Sequence, residues 1–275
     1  MRVEHAPHAS YGRPRALVAA LCWRAHREGV RYLLTGFLPF AIMLCLLVGL
    51  SLSGIGVNGA AAFSDYAVRY GARVDSVAIG EMLIVGPGLI AFFSATAVGL
   101  VVRNLVGSEA SRGGIEALLA GPYRPGAIMT ALLSYVGGLA ICYWTGMTIL
   151  AAAGLAILVW ANNAALSLTD GYLLLVLILP LLAAWSAVSL SLLVTLLYPR
   201  LAQTGSIGLN MGGGSLGTGA AILPALAVFL IFSIWAPHIA PELLLAIVGS
   251  ATAAIAMAST VIVTYRFRPD AVLES

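Results

Sequence analysis

The chain has 275 residues, 61% of them hydrophobic and only 9% charged, with a net charge of +3 and a mean hydropathy of +1.00. A soluble domain of this size could not hide so much apolar surface, which excludes an ordinary globular enzyme or binding module. The charge lies in the short gaps between about six apolar stretches, and function has to be read from those gaps.

In chain order, residues 1–12 read as a tail. Pro14 to Arg31 reads as a basic amphipathic helix, with Leu17, Val18, Leu21, Cys22 and Ala25 on one side and Arg24, Arg27 and Arg31 on another. That pattern predicts a helix lying in the inner headgroup layer, the alternative being a basic extension of the first span. Residues 33–54 form the first apolar run. The gap 55–80 places Asp65 four residues before Arg69, the favourable order for a helical ion pair, with Tyr66 and Tyr70 alongside. A surface helix is expected there, as ordinary solvated loop rather than a gate.

The second run, 81–103, continues as helix to 107 and carries Pro87-Gly88, a bend signal. The third, 127–160, exceeds the roughly 20 residues that cross a core of ~30 Å and must tilt, bend or project. The fourth, 172–198, contains Pro180. The fifth and sixth, 218–236 and 241–265, precede a tail at 266–275. Trp160 and Trp235 are expected at outer ends, while Trp144 and Trp185 read as helix-packing residues. The runs are too long and uniformly apolar for barrel strands. The fold class is therefore all-α and polytopic, one membrane domain over 1–275.

All 14 basic residues are Arg, and their placement orients the chain. Cytoplasmic termini put 12 of the 14 inside and leave only Arg69 and Arg73 outside, as the positive-inside rule requires. The net charge is that inner girdle, not a nucleic-acid surface. Without Lys the chain cannot build a G-x-x-x-x-G-K-[ST] phosphate loop, so an ATPase engine would be a separate polypeptide. Gly212, Gly214 and Gly217 match G-x-G-x-x-G. Lying between two membrane helices and not in a βαβ unit, they read as a flexible connection or a closely packed helix start. Cys22, Cys45 and Cys142 are isolated and the four His residues do not cluster, so no disulfide framework or metal site is indicated.

The gap after the second run reads Ser108-Glu109-Ala110-Ser111-Arg112-Gly113-Gly114-Ile115-Glu116-Ala117-Leu118-Leu119-Ala120-Gly121-Pro122. If helical, Glu109, Arg112 and Glu116 share a face beside an apolar patch of Ile115, Leu118 and Leu119, with Pro122 ending it. Such a helix suits docking of a soluble partner; a solvated connector is the alternative reading.

Here the chain resembles the ABC transporter permeases of the type-2 exporter class. Their second helix opens with a Pro-Gly-hydrophobic run and leads to an inner motif E…G-T-x-E-x-L-L-x-x-P. This chain has Pro87-Gly88-Leu89-Ile90-Ala91, then Glu109, Gly113, Gly114 in place of Thr, Glu116, Leu118-Leu119 and Pro122. It departs from the family at Ala131, where a Lys is frequent. The gap 236–241 is also too short for the re-entrant hairpin that many members carry. The resemblance implies a non-catalytic exporter subunit in the cytoplasmic membrane that binds no cofactor itself. It would pair with a second permease, identical or related, and with two ATPase subunits that hold ATP and magnesium. Glu109, Arg112, Gly113, Glu116, Leu118, Leu119 and Pro122 would form the coupling segment.

Candidate substrate-path groups are Pro87, Ser94, Thr96, Asn104, Ser134, Tyr135, Ser186 and Ser189, although such hydroxyls also bond their own helix or a neighbour. The alternatives are an ion-coupled carrier, which would need an intramembrane carboxylate and repeat symmetry, and an intramembrane enzyme, which would need a reactive cluster at one depth.

Overall fold

The computed structural model describes residues 14–53, 60–72, 77–111, 114–121, 123–197 and 216–266. Lipid offers the backbone no partner, and the apolar runs close their own hydrogen bonds as helices. These are α1 (Pro14–Leu52), α2 (Ala60–Arg69), α3 (Val77–Ser111), α4 (Gly114–Leu119), α5 (Pro125–Ala161), α6 (Asp170–Leu197), α7 (Leu216–Trp235), α8 (Pro241–Leu244) and α9 (Ser250–Arg266). A π-helical turn, Leu245–Gly249, joins the last two. No strand occurs among the described residues.

Among the described residues, four helical segments are long and apolar enough to cross a membrane: Val77–Arg103, Pro125–Ala161, Asp170–Leu197 and Pro241–Tyr265. The chain is a helical membrane protein. The first and fifth expected spans fall in α1 and α7, whose described apolar parts, Gly36–Leu50 and Gly219–Trp235, are shorter. The separate interfacial helix expected before the first span is not a separate element. Nothing from Pro14 to Pro39 interrupts the helical hydrogen bonding, and α1 runs 39 residues, about 58 Å at 1.5 Å per residue. Leu17, near its start, is buried in the main core.

α3 is the central column. It touches α1, α2, α5, α6 and α7, and 72% of its apolar window is buried against 28% for α5. Helices in lipid gain little from burying apolar surface against one another, so close approach through small residues has to supply the packing. On α3, Ala91, Ala95 and Gly99 recur every fourth residue. Ala183 and Ala187 on α6 and Ala221 and Ala225 on α7 keep the same spacing, and all these alanines are buried. α1 and α5 approach in the same way, Gly36 against Tyr143 and Gly146 against Phe37. The Phe37 and Tyr143 rings stack at 5.1 Å and 4°.

Candidate functional site

At one end of the bundle, α3 runs out through Glu109 to Ser111, and α4 follows as a separate short helix carrying Glu116, Leu118 and Leu119. Arg112, Gly113 and Pro122 lie outside the described residues, as do Gly212 and Gly214; Gly217 falls in the first turn of α7. Glu109 lies near the end of α3 and Glu116 in α4. Leu118 is half-buried and packs on the main core, as does Tyr123. A 3.2 Å bond from the Gly121 N–H to the Leu118 carbonyl closes the turn after α4. The segment is therefore seated on the bundle, not a free connector.

At the opposite end, α2 is not the solvated loop expected from its sequence. Tyr66, Ala67, Tyr70 and Ala72 are buried, and Gly80 of α3 lies directly against the Phe63 carbonyl, leaving no space for a side chain. Gly71, at φ +85°, ends α2 in a left-handed cap. The Ala72 N–H bonds the Ala67 carbonyl at 3.1 Å and the Gly71 N–H bonds the Val68 carbonyl at 3.0 Å. That turn leaves the Tyr70 carbonyl free to accept from the Ser167 N–H of the α5–α6 connection at 2.8 Å. Arg69 reaches the α7–α8 connection, its Nη1 donating to the Pro237 carbonyl at 3.2 Å, and lies over the Tyr66 ring. The expected Asp65–Arg69 ion pair is absent, because docking of the last turn of α2 draws the guanidinium to Pro237. Burial, reinforced by a hydrogen bond with Tyr70, pushes the Tyr66 phenol far above its ordinary range, so it stays neutral.

Beneath this cap lies a contact with a specific cause. Proline has no N–H, so Pro87 leaves the carbonyl four residues earlier, Leu83, without its helical donor. The Tyr172 hydroxyl of α6 donates to that carbonyl at 2.8 Å. Tyr172 is buried, lies 5.0 Å from the Tyr70 ring, and is placed by Thr169, whose hydroxyl caps the start of α6 at 3.3 Å. The α2 cap, the proline in α3 and the start of α6 are thereby tied into one unit. Thr169 and the cap glycine were legible signals. The pairing across 89 residues was not.

The other candidate path residues sit in differing settings. Ser94 and Ser186 are buried and donate to their own helices, to Ala91 at 3.4 Å and Ala183 at 2.8 Å; Ser189 donates to Trp185 at 2.7 Å. Thr96 is buried with no partner for Oγ1 among the described residues. Ser134 is exposed while its neighbour Tyr135 is buried, which puts the two on different faces of α5. Asn104 lies on α3. Pro87 is buried beside the Tyr172–Leu83 contact just described. Trp160 and Trp235 close α5 and α7 and are exposed, whereas Trp185 packs on Gly137, 2.7 Å from where a β-carbon would stand. Comparison with family models, with curated proteins and with solved structures returns no match for this chain.

Proposed function

We propose that the chain is the membrane subunit of an ATP-driven exporter that moves a hydrophobic or amphipathic molecule outward across the cytoplasmic membrane. Six helices cross the membrane, with both termini and α4 on the cytoplasmic side and α2 outside. The observation that carries this reading is the ordered run from Pro87-Gly88, through Glu109 near the end of α3 and Glu116 on α4, to Pro122. Two separate ATPase subunits, holding ATP and magnesium, engage α4, and a second permease completes the assembly.

The mechanics of α3 support the reading. It is the most buried of the candidate spans and runs unbroken for 35 residues, from the cap to within a few residues of α4. A push at α4 therefore reaches the Tyr172–Leu83 contact along one continuous helix, past Pro87, a packing that an external engine can bias. The chain does no bond chemistry in this scheme. It supplies two packings, and the ATPase shifts their balance.

Reversing the charge at Glu116 tests the docking step. Like charges facing each other across an interface cost several kcal/mol, so Glu116→Arg is expected to lower the ATPase isolated with the chain at least about tenfold. Membrane yield and elution profile should stay unchanged. Undiminished ATPase in the isolated complex would remove α4 as the docking element.

A further inference from the structure

Contacts between the helices fix which residues share a level in the bundle. The ring of Phe40 on α1 meets that of Phe93 on α3 at 5.7 Å, and Gly36 lies against Ala97. Each step down α1 therefore matches one step along α3, and continuing that antiparallel register sets Arg103 level with Val30. α5 runs parallel to α1, with Gly36 against Tyr143 and Leu44 against Gly154. The same reasoning sets Trp160 level with Leu50, and Gly138 level with Arg31.

Those levels place the bilayer. Counted down α1 from Leu50 at 1.5 Å per residue, a hydrocarbon core of ~30 Å ends close to Arg31, and the ~40–45 Å that includes both headgroup layers ends near Trp23. The exposed side chains agree. On α1, Leu38, Ile42, Leu46 and Leu50 are exposed above that edge. On α5, Thr130, Ser134 and Gly138 are exposed below it, whereas the large exposed side chains Ile141, Ile149 and Ile157 begin above it. Trp23 is exposed, at the depth where amphipathic rings settle. α1 is unbroken here and Leu17, beneath, is buried in the main core, so the basic half stands upright through the headgroup layer. It carries Arg24, Arg27 and Arg31 against one acid, Glu28, and half-buried Arg103 of α3 lies at the same depth. The opposite end carries Asp65, Glu81, Asp170 and Glu242 against Arg69 among the described residues. We infer that the level of Arg27, Arg31 and Arg103 is a collar that binds anionic phospholipid by its headgroup phosphate. Guanidinium matches phosphate, and the excess of positive charge selects a headgroup with net negative charge over a zwitterionic one. That this leaflet is the cytoplasmic one rests on the orientation proposed above, whereas the binding itself does not.

The test uses the purified chain in vesicles that mix phosphatidylcholine and phosphatidylglycerol of the same acyl chains, without ATPase or ATP. One of the two lipids carries bromine high on its acyl chain, where it quenches nearby indole fluorescence. The Trp23 signal is the difference between the native chain and Trp23→Phe, and the Trp160 signal is obtained likewise with Trp160→Phe. At Trp23, phosphatidylglycerol is expected to displace phosphatidylcholine with a preference of about fivefold or more, lost in about 1 M salt. At Trp160 the preference should stay under about twofold, because that end carries the acids. Arg27→Gln combined with Arg31→Gln should bring Trp23 down to the Trp160 level, and the corresponding Lys pair, which keeps the charge, should retain most of the preference. Equal quenching by both lipids at Trp23, or the same preference at both tryptophans, would overturn the collar on the native chain alone. A Gln pair that keeps the native preference would overturn it too. No ATPase takes part, so loss of the collar leaves the exporter reading standing, and isolation of the chain without an ATPase leaves the collar standing.

Discussion

Tyr172→Phe should lower the thermal unfolding temperature of the detergent-solubilised chain by on the order of 5 °C, although it removes a single oxygen atom. The loss strands the Leu83 carbonyl, now accepting at 2.8 Å, in a site that Pro87 deprives of its helical N–H. A buried acceptor left unmade costs about 1–3 kcal/mol. The cause is separable. Pro87→Ala restores an N–H four residues after Leu83, so in that background Tyr172→Phe should cost less than half as much. A double-mutant cycle with a coupling of about 1–2 kcal/mol is the expected result. Two independent, additive effects would show that the hydroxyl acts only by filling space.

The larger effect is expected at Gly99. A β-carbon there would stand 2.7 Å from the Ala221 β-carbon and 3.2 Å from Ser191 Oγ. The first contact is closer than real β-carbons approach, and both neighbours are buried. Gly99→Leu therefore forces α3 and α7 apart, costing about 3 kcal/mol or more, and monodisperse protein should be largely lost on size-exclusion chromatography. The comparison is Gly138→Ala on α5, where nothing lies within 4 Å of the added carbon. That change should be neutral or stabilising by up to about 1 kcal/mol, since alanine is the better helix former. Equal tolerance at both positions would contradict the packed α3–α7 seam.

Which parts of this structure could be read from the chain follows from the range of the interactions. Apolar length is local, and the runs at 127–160, 172–198 and 218–236 emerge within about two residues of α5, α6 and α7. The helix read from Pro14 to Arg31 and the first run, 33–54, join as one helix, which is the alternative of a basic extension. Apolarity marks where lipid begins, while the helix continues through polar sequence as far back as Pro14. The docking of α2 was missed because its anchors are distant: Arg69 and Pro237 are 168 residues apart. Tyr66, Ala67 and Tyr70, sharing one side of a short helix that ends in Gly71, were the available hint.

Among site residues, Pro87 announced an orphaned carbonyl but not the hydroxyl that answers it. The selection of Ser94, Ser186 and Ser189 rested on residue type alone. In the structure each hydroxyl closes on its own helix, which depends on side-chain rotation and neighbours. Trp144 reads as a packing residue, and in the structure it packs against the main core.

The central claim is that an engine on another polypeptide drives this chain through the segment after α3. Gentle isolation of the affinity-tagged chain from its native membranes, followed by identification of what accompanies it, addresses that directly. The predicted result is a distinct subunit bearing a phosphate-loop lysine, in equal ratio to this chain and hydrolysing ATP in the isolated complex. Recovery of the intact chain with no nucleotide-hydrolysing companion would contradict it.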